Sequence, residues 1–251
     1  MMDYQADAQL LAGKVIVVTG AGDGIGKEAA INYAAHGATV LLLGRTAAKL
    51  EATFDAIEAA GYPLPAIVPM DLKQATAADY RGLAETFARQ FGRLDGVLFN
   101  AGLLGVLCPF DQIKEKEWDE VMQVNVKSEF LMTQALLPLL RKTAKEQGEA
   151  VLLYTSSGVG RKGRAYWGTY AISKFAVEGM MEVLADELEN TGVRVNSINP
   201  GGTRTKMRAS AFPAEDPMNL KTPADLMPLY LYLMGKDSRG ENGKTFVAQP
   251  K

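Results

Sequence analysis

Short apolar runs, each followed by a longer stretch of helical period, restrict what this chain can become. Residues 15–19, 39–43, 66–70, 96–99, 150–154 and 193–198 are rich in Val, Ile and Leu. They read as near-continuous apolar segments, as strands covered on both faces do. Residues 244–247 hold a shorter seventh candidate. The helical stretches between them are 25–36, 47–60, 79–91, 118–144 and 170–190. Strand and helix in strict succession predict an α/β fold built on a mostly parallel sheet. Right-handed crossovers make that sheet doubly wound and Rossmann-like, with helices on both faces. No repeat or linker divides the 251 residues, so a single domain over residues 1–251 is expected. The least regular stretch is 203–222, with Pro213 and Pro217; it is expected to be a loop or short helices acting as a substrate lid.

The first strand runs into Thr19-Gly20-Ala21-Gly22-Asp23-Gly24-Ile25-Gly26 and then a helix. Glycines let the backbone turn sharply and admit a pyrophosphate with no Cβ in its way. The helix start adds unpaired N–H groups and a positive dipole end. The spacing departs from the strict dinucleotide fingerprint, and a tight corner would use the same residues. Its position after the first strand of a βαβ unit favours nucleotide binding. The second strand ends Leu43-Gly44-Arg45-Thr46, with no acid for a ribose 2′-hydroxyl. Arg45 and Thr46 suit a 2′-phosphate instead, so NADP(H) is expected over NAD(H); a solvated Arg at a helix start is the plain alternative. Asp71, with Leu72 beside it, follows the third strand. Asp71 either accepts from an adenine amino group or caps a helix.

Tyr170-Ala171-Ile172-Ser173-Lys174 sets a phenol and an ammonium four residues apart, on one helix face. A cation that close favours the phenolate, which makes an acid–base group usable near neutral pH. Such pairs also arise by chance on amphipathic helices. Ser157, 13 residues upstream, ends a buried strand, where ligands gather in parallel sheets. Asn100-Ala101-Gly102 ends another, and Asn125 lies inside a long helix that Asn does not favour.

With Asn199-Pro200-Gly201, these motifs resemble the short-chain dehydrogenase/reductase family, in family order across nearly the whole chain. Within it the sequence is similar to the YciK-type bacterial oxidoreductases. The resemblance implies that Tyr170 protonates a carbonyl oxygen as hydride arrives from the nicotinamide. It implies that Lys174 holds the nicotinamide ribose, that Ser157 polarises the carbonyl, and that Asn125 holds a water linking Lys174 to solvent. Gly20, Gly22, Asp23, Gly24, Ile25 and Gly26 would form the cofactor turn, and Asn100, Ala101 and Gly102 would lie beside the adenosine ribose. Pro200, Gly201, Thr203 and Thr205 would line the nicotinamide end. Asp23 departs from NADP-using relatives, which often carry a base near there, and leaves Arg45 most of the 2′-phosphate. The helices at 118–144 and 170–190 are expected to form the contact of a homodimer or homotetramer.

The balance of 27 Lys plus Arg against 29 Asp plus Glu gives no general attraction to nucleic acid or anionic lipid. One Cys and one His leave no disulfide, and are too few for a zinc centre or a Ser-His-Asp site, so no metal is expected. The opening residues lack a basic secretory region, and no apolar run approaches membrane length; a cytoplasmic enzyme is expected. Arg161, Lys162, Arg164, Arg204, Lys206 and Arg208 lie near the expected mouth. They point to an anionic small-molecule carbonyl or alcohol substrate, or are simply solvated. A 3-oxoacyl-type reductase is one alternative; a non-catalytic NADP-sensing regulator is another, disfavoured because Ser157, Tyr170 and Lys174 are all present.

Overall fold

A computed structural model describes residues 3–250. Its centre is one sheet of seven strands: β1 (Val15–Thr19), β2 (Thr39–Gly44), β3 (Ala66–Pro69), β4 (Gly96–Phe99), β5 (Ala150–Thr155), β6 (Val193–Asn199) and β7 (Thr245–Val247). The order is β3-β2-β1-β4-β5-β6-β7, and every pairing is parallel. All seven strand candidates are present, with ends moved by a residue at most. The fold is the expected Rossmann-like, doubly wound sheet.

The helices are α1 (Gly24–Ala35), α2 (Ala47–Ala59), α3 (Ala77–Phe91), α4 (Glu115–Met122), α5 (Ser128–Gln147), α6 (Gly168–Glu187), α7 (Lys206–Ala211) and α8 (Met227–Met234). Successive residues of a strand point to opposite faces. Val15 and Val17 therefore join a core with α3, α5 and α6, whereas Ile16 and Val18 join one with α1, α2 and α8. Burial on both sides explains the unbroken apolar character of β1, in which all five residues are buried.

Two segments depart from the sequence expectation. The stretch 118–144 is not one regular helix: a π-helical turn, Gln123–Lys127, joins α4 to α5. Asn125 lies inside that turn, and π-turns often mark functional positions. The second departure is α8, Met-Pro-Leu-Tyr-Leu-Tyr-Leu-Met, which has almost no polar face. Periodicity gives no warning of such a helix, because it is buried nearly all round. The stretch 203–222 contains α7 and a short 3₁₀ turn at Pro217–Asn219. The segment 170–190 shortens at its end, where Asn190 takes φ 65° and leaves the helix.

Candidate active site

The order of the sheet reverses at β1, whose neighbours β2 and β4 lead to opposite edges. A crevice forms there, beyond the carboxyl ends of the strands. The glycine turn is its floor. Gly20 has φ +71°, a left-handed conformation that a side chain would strain. A Cβ on Gly26 would lie 2.6 Å from Asn100 Nδ2 and would also strike the Gly20 carbonyl. Thr19 Oγ1 accepts from the backbone N–H of Asn100 at 2.9 Å and of Ala101 at 3.0 Å, tying β4 to the turn. Asn100 is thus a buttress of the glycine turn. Asp23 caps α1 through the Gly24 N–H at 2.9 Å. Its carboxylate also takes Lys49 at 2.7 Å and Lys206 at 3.0 Å. The hydrogen bonds from Lys49 and Lys206 hold this carboxyl down at about 2.

On the β2 side the crevice is walled by Gly22, Arg45, Thr46, Asp71, Leu72 and Gly102. Arg45 is exposed and has no ion pair among the described residues. Thr46 starts α2 without a side-chain capping bond, so its hydroxyl is free for a ligand. Lys49, one turn further, lines the same wall; sequence reading passed over it, although a cation one turn beyond Arg45 is a visible feature. Asp71 does not cap α3, whose cap is Thr76. Its Oδ1 accepts from the Lys73 N–H at 3.1 Å. The backbone close approach at Gly26, the α1 terminus and the paired Arg45 and Lys49 fit a dinucleotide bearing a 2′-phosphate.

On the other side, α6 brings Tyr170 and Lys174 to one face. The Lys174 ammonium lies 5.9 Å from the centre of the Tyr170 ring and donates to the Thr155 carbonyl at 2.7 Å. Tyr170 is 9% exposed, and its hydroxyl has no hydrogen bond among the described residues. Ser157 is half-buried just past β5 and caps a short 3₁₀ turn. Asn125 is fully engaged: Oδ1 accepts from Leu103 N–H at 2.7 Å, and Nδ2 donates to the Leu103 carbonyl at 2.8 Å and to Ser173 Oγ at 3.0 Å. Its side chain is a clasp between the β4 end and α6.

The roof comes from the segment after β6. The Gly201 N–H donates to Asn199 Oδ1 at 3.0 Å, and Gln249 donates to the Pro200 and Gly202 carbonyls at 2.8 and 3.1 Å. Thr203 is buried; Thr205 caps α7 and stands over Gly24. Phe212 packs on Trp167 (centroids 5.6 Å), and Trp167 meets Tyr170 edge-on at 6.0 Å. Tyr166 points outward, 62% exposed.

The six basic residues do not converge. Arg161 pairs with Glu182, Lys206 with Asp23, and Arg208 with Glu215. Arg204 is spent on the backbone carbonyls of Pro217, Met218 and Leu220. Lys162 and Arg164 have neither an ion pair nor a side-chain hydrogen bond among the described residues, with Arg164 lying over Trp167 and Phe212. Three of the six are thus held in ion pairs and Arg204 by main-chain carbonyls.

A glycine turn at a sheet reversal, with a crevice beyond the strand ends, is the arrangement of a nucleotide-binding site. The sequence pattern of the short chain dehydrogenase family matches residues 14–216, and the chain belongs to that family. It is 56% identical over 249 residues to the uncharacterized oxidoreductase YciK of Escherichia coli (strain K12), covering 99% of this chain and 97% of that one. Among solved structures, a short-chain dehydrogenase of Escherichia coli CFT073 complexed with NADPH superposes with TM-score 0.94 at 56% identity, covering 98% of this chain and 100% of that one. A short-chain dehydrogenase of Shigella flexneri 2a complexed with NADP gives TM-score 0.93 at 55% identity, covering 97% and 100%. No helix among the described residues is long and apolar enough to cross a membrane.

Proposed function

We propose that this chain is a cytoplasmic NADP(H)-dependent oxidoreductase that interconverts a carbonyl compound and its alcohol, with Tyr170 as the acid–base group. The observation that carries the reading is the Tyr170 hydroxyl, without a partner among the described residues, with the Lys174 ammonium 5.9 Å from the centre of its ring. Bound NADPH would supply hydride to the carbonyl carbon. The chain supplies the rest. In reduction, Tyr170 Oη gives its proton to the carbonyl oxygen and is left as phenolate, which the adjacent ammonium stabilises. The Ser157 hydroxyl donates to the same oxygen and orients the carbonyl. Asn125 keeps α6 in register through Ser173; a water serving Lys174 would fall to its main chain.

Gly20, Gly22, Gly24, Ile25 and Gly26 would cradle the pyrophosphate, with Asp23 shaping the turn. Arg45, Thr46 and Lys49 would take the 2′-phosphate, and the two NADP-bound relatives support that choice. Asp71 and Leu72 would hold the adenine, and Ala101 and Gly102 its ribose. Pro200, Gly201, Thr203 and Thr205 would line the nicotinamide end. The whole chain would act as one domain, with residues 203–222 covering a small substrate whose anionic group, where present, meets Lys162 or Arg164. Phe130, Ile172, Phe175 and Val183 are exposed along α5 and α6, an apolar surface suited to a second copy of the chain.

Replacing Tyr170 with Phe tests the reading. Turnover of an active carbonyl compound should fall roughly 10²–10⁴-fold, with NADPH affinity little changed. Retained turnover would show that another group supplies the proton.

A further inference from the structure

Asn125, Glu129 and Thr133 follow one another at helical spacing, so they share one stripe. Asn125 binds Ser173, the neighbour of Lys174 on α6, at 3.0 Å. Thr133 shares a 2.7 Å hydrogen bond with the Tyr154 hydroxyl of β5. Tyr154 immediately precedes Thr155, whose carbonyl holds the Lys174 ammonium. Glu129 is therefore bracketed, one turn to either side, by contacts to the two elements that position Lys174. It is 3% exposed, and neither carboxyl oxygen has a hydrogen-bond partner among the described residues. The comparison with Glu178, one turn beyond Lys174, is direct. That carboxylate receives the hydroxyls of Ser197 and Thr245 at 3.1 and 2.6 Å and lies 3.6 Å from Arg161.

An ionised carboxylate buried without partners costs several kcal/mol, whereas the neutral acid costs far less. We propose that Glu129 is a positioning residue for Lys174: an uncharged acid behind the lysine that leaves the whole ammonium charge acting on Tyr170. On ionising, it would oppose that charge. The inference rests on reading Tyr170 and Lys174 as the reacting pair. Burial pushes the Glu129 carboxyl up to about 8, against the lowering influence of Lys174. The titratable groups facing it are Lys174 from α6 and the Tyr154 phenol from β5, itself driven upward by burial. On α3 the buried phenol is Tyr80, which comes up beside Ser128.

The test needs no substrate. Phenolate formation at Tyr170 is read in the cofactor-free protein as the ultraviolet difference between a Tyr170-containing chain and its Tyr170→Phe counterpart, with Glu129 or with Glu129→Gln. Without the opposing carboxylate, the phenolate should form at lower pH in the Glu129→Gln pair. Superimposable curves overturn the proposal. Should Glu129→Gln fail to fold, isotope-edited infrared spectra of the unmodified chain decide instead. A protonated glutamic acid band at neutral pH that disappears through about pH 8 supports the proposal; its absence at neutral pH overturns it. Unchanged turnover in Tyr170→Phe would instead overturn the catalytic reading, so the two failures are distinguishable.

Discussion

The Asn125 side chain donates to the Ser173 hydroxyl at 3.0 Å, and the Ser173 hydroxyl donates to the Tyr170 carbonyl at 2.7 Å. The helix bearing Tyr170 and Lys174 is thereby pinned to the π-helical turn of its neighbour. The same amide grips both backbone groups of Leu103. Asn125→Ala removes one of the two hydrogen bonds of the buried Ser173 hydroxyl and leaves two backbone groups of Leu103 without that partner. It should cost roughly 2–4 kcal/mol in urea denaturation and lower turnover as Tyr170 loses its register. Unchanged stability would mean that water replaces the amide at no cost.

Arg45 and Lys49 stand on the wall that would take a 2′-phosphate. Charge-assisted bonds of this kind are worth about 1.5–3 kcal/mol. Arg45→Gln should therefore weaken NADPH roughly 10- to 100-fold in a fluorescence titration, with NADH affected little. Lys49→Gln should shift the preference in the same direction. An equal loss for both cofactors would remove Arg45 from the selection.

Gly26 has no space for a methyl group, since Asn100 and the Gly20 carbonyl occupy it. Gly26→Ala must push the turn open. Thermal melting should show a loss of roughly 1–3 kcal/mol, accompanied by loss of NADPH binding. A variant that binds NADPH normally would show that the turn yields easily.

Phe212 lies against Trp167 and 3.8 Å from the Arg208 guanidinium. On the proposed reading, in which residues 203–222 cover the substrate, Phe212→Ala should raise KM for carbonyl substrates while leaving NADPH binding in place. Steady-state kinetics across a carbonyl panel would show it. A change confined to the NADPH dissociation constant would contradict the placement.

Glu129 gives stability a pH dependence of defined sign. Burial pushes its carboxyl up to about 8 in the folded chain, from an ordinary value of 4.5. Between those values the folded state holds a proton that the unfolded chain has released, so stability falls as pH rises. The contribution is complete below about 4.5 and lost above about 8. The span is about 5 kcal/mol, and Glu129→Gln should flatten that decline in denaturation curves taken across the window.

The strands, the glycine turn and the Tyr–Lys pair were legible because each depends on local chemistry: apolar runs, absent side chains and helical spacing. The π-turn around Asn125 was not, since one added residue barely disturbs an apolar pattern across 118–144. The helix Met227–Met234 was invisible for the opposite reason, having almost no polar face to set a period. The partners of the basic residues, such as Asp23 for Lys206 and Glu182 for Arg161, were not legible, because they approach only after folding. Burial of Glu129 likewise depends on three elements meeting, and a lone acid at the start of a helix carries no mark of it.

The place where β1 sits between β2 and β4 also dictates how the molecule can be assembled during synthesis. Residues 15–69 can pair as β1, β2 and β3 as soon as they leave the ribosome, yet one edge of β1 stays bare until residues 96–99 arrive. That waiting edge exposes unsatisfied backbone groups and invites association with other nascent chains. The seam that creates the crevice is therefore the last gap the amino-terminal half closes, and a slow-translating stretch before residue 96 would lengthen the time it spends vulnerable.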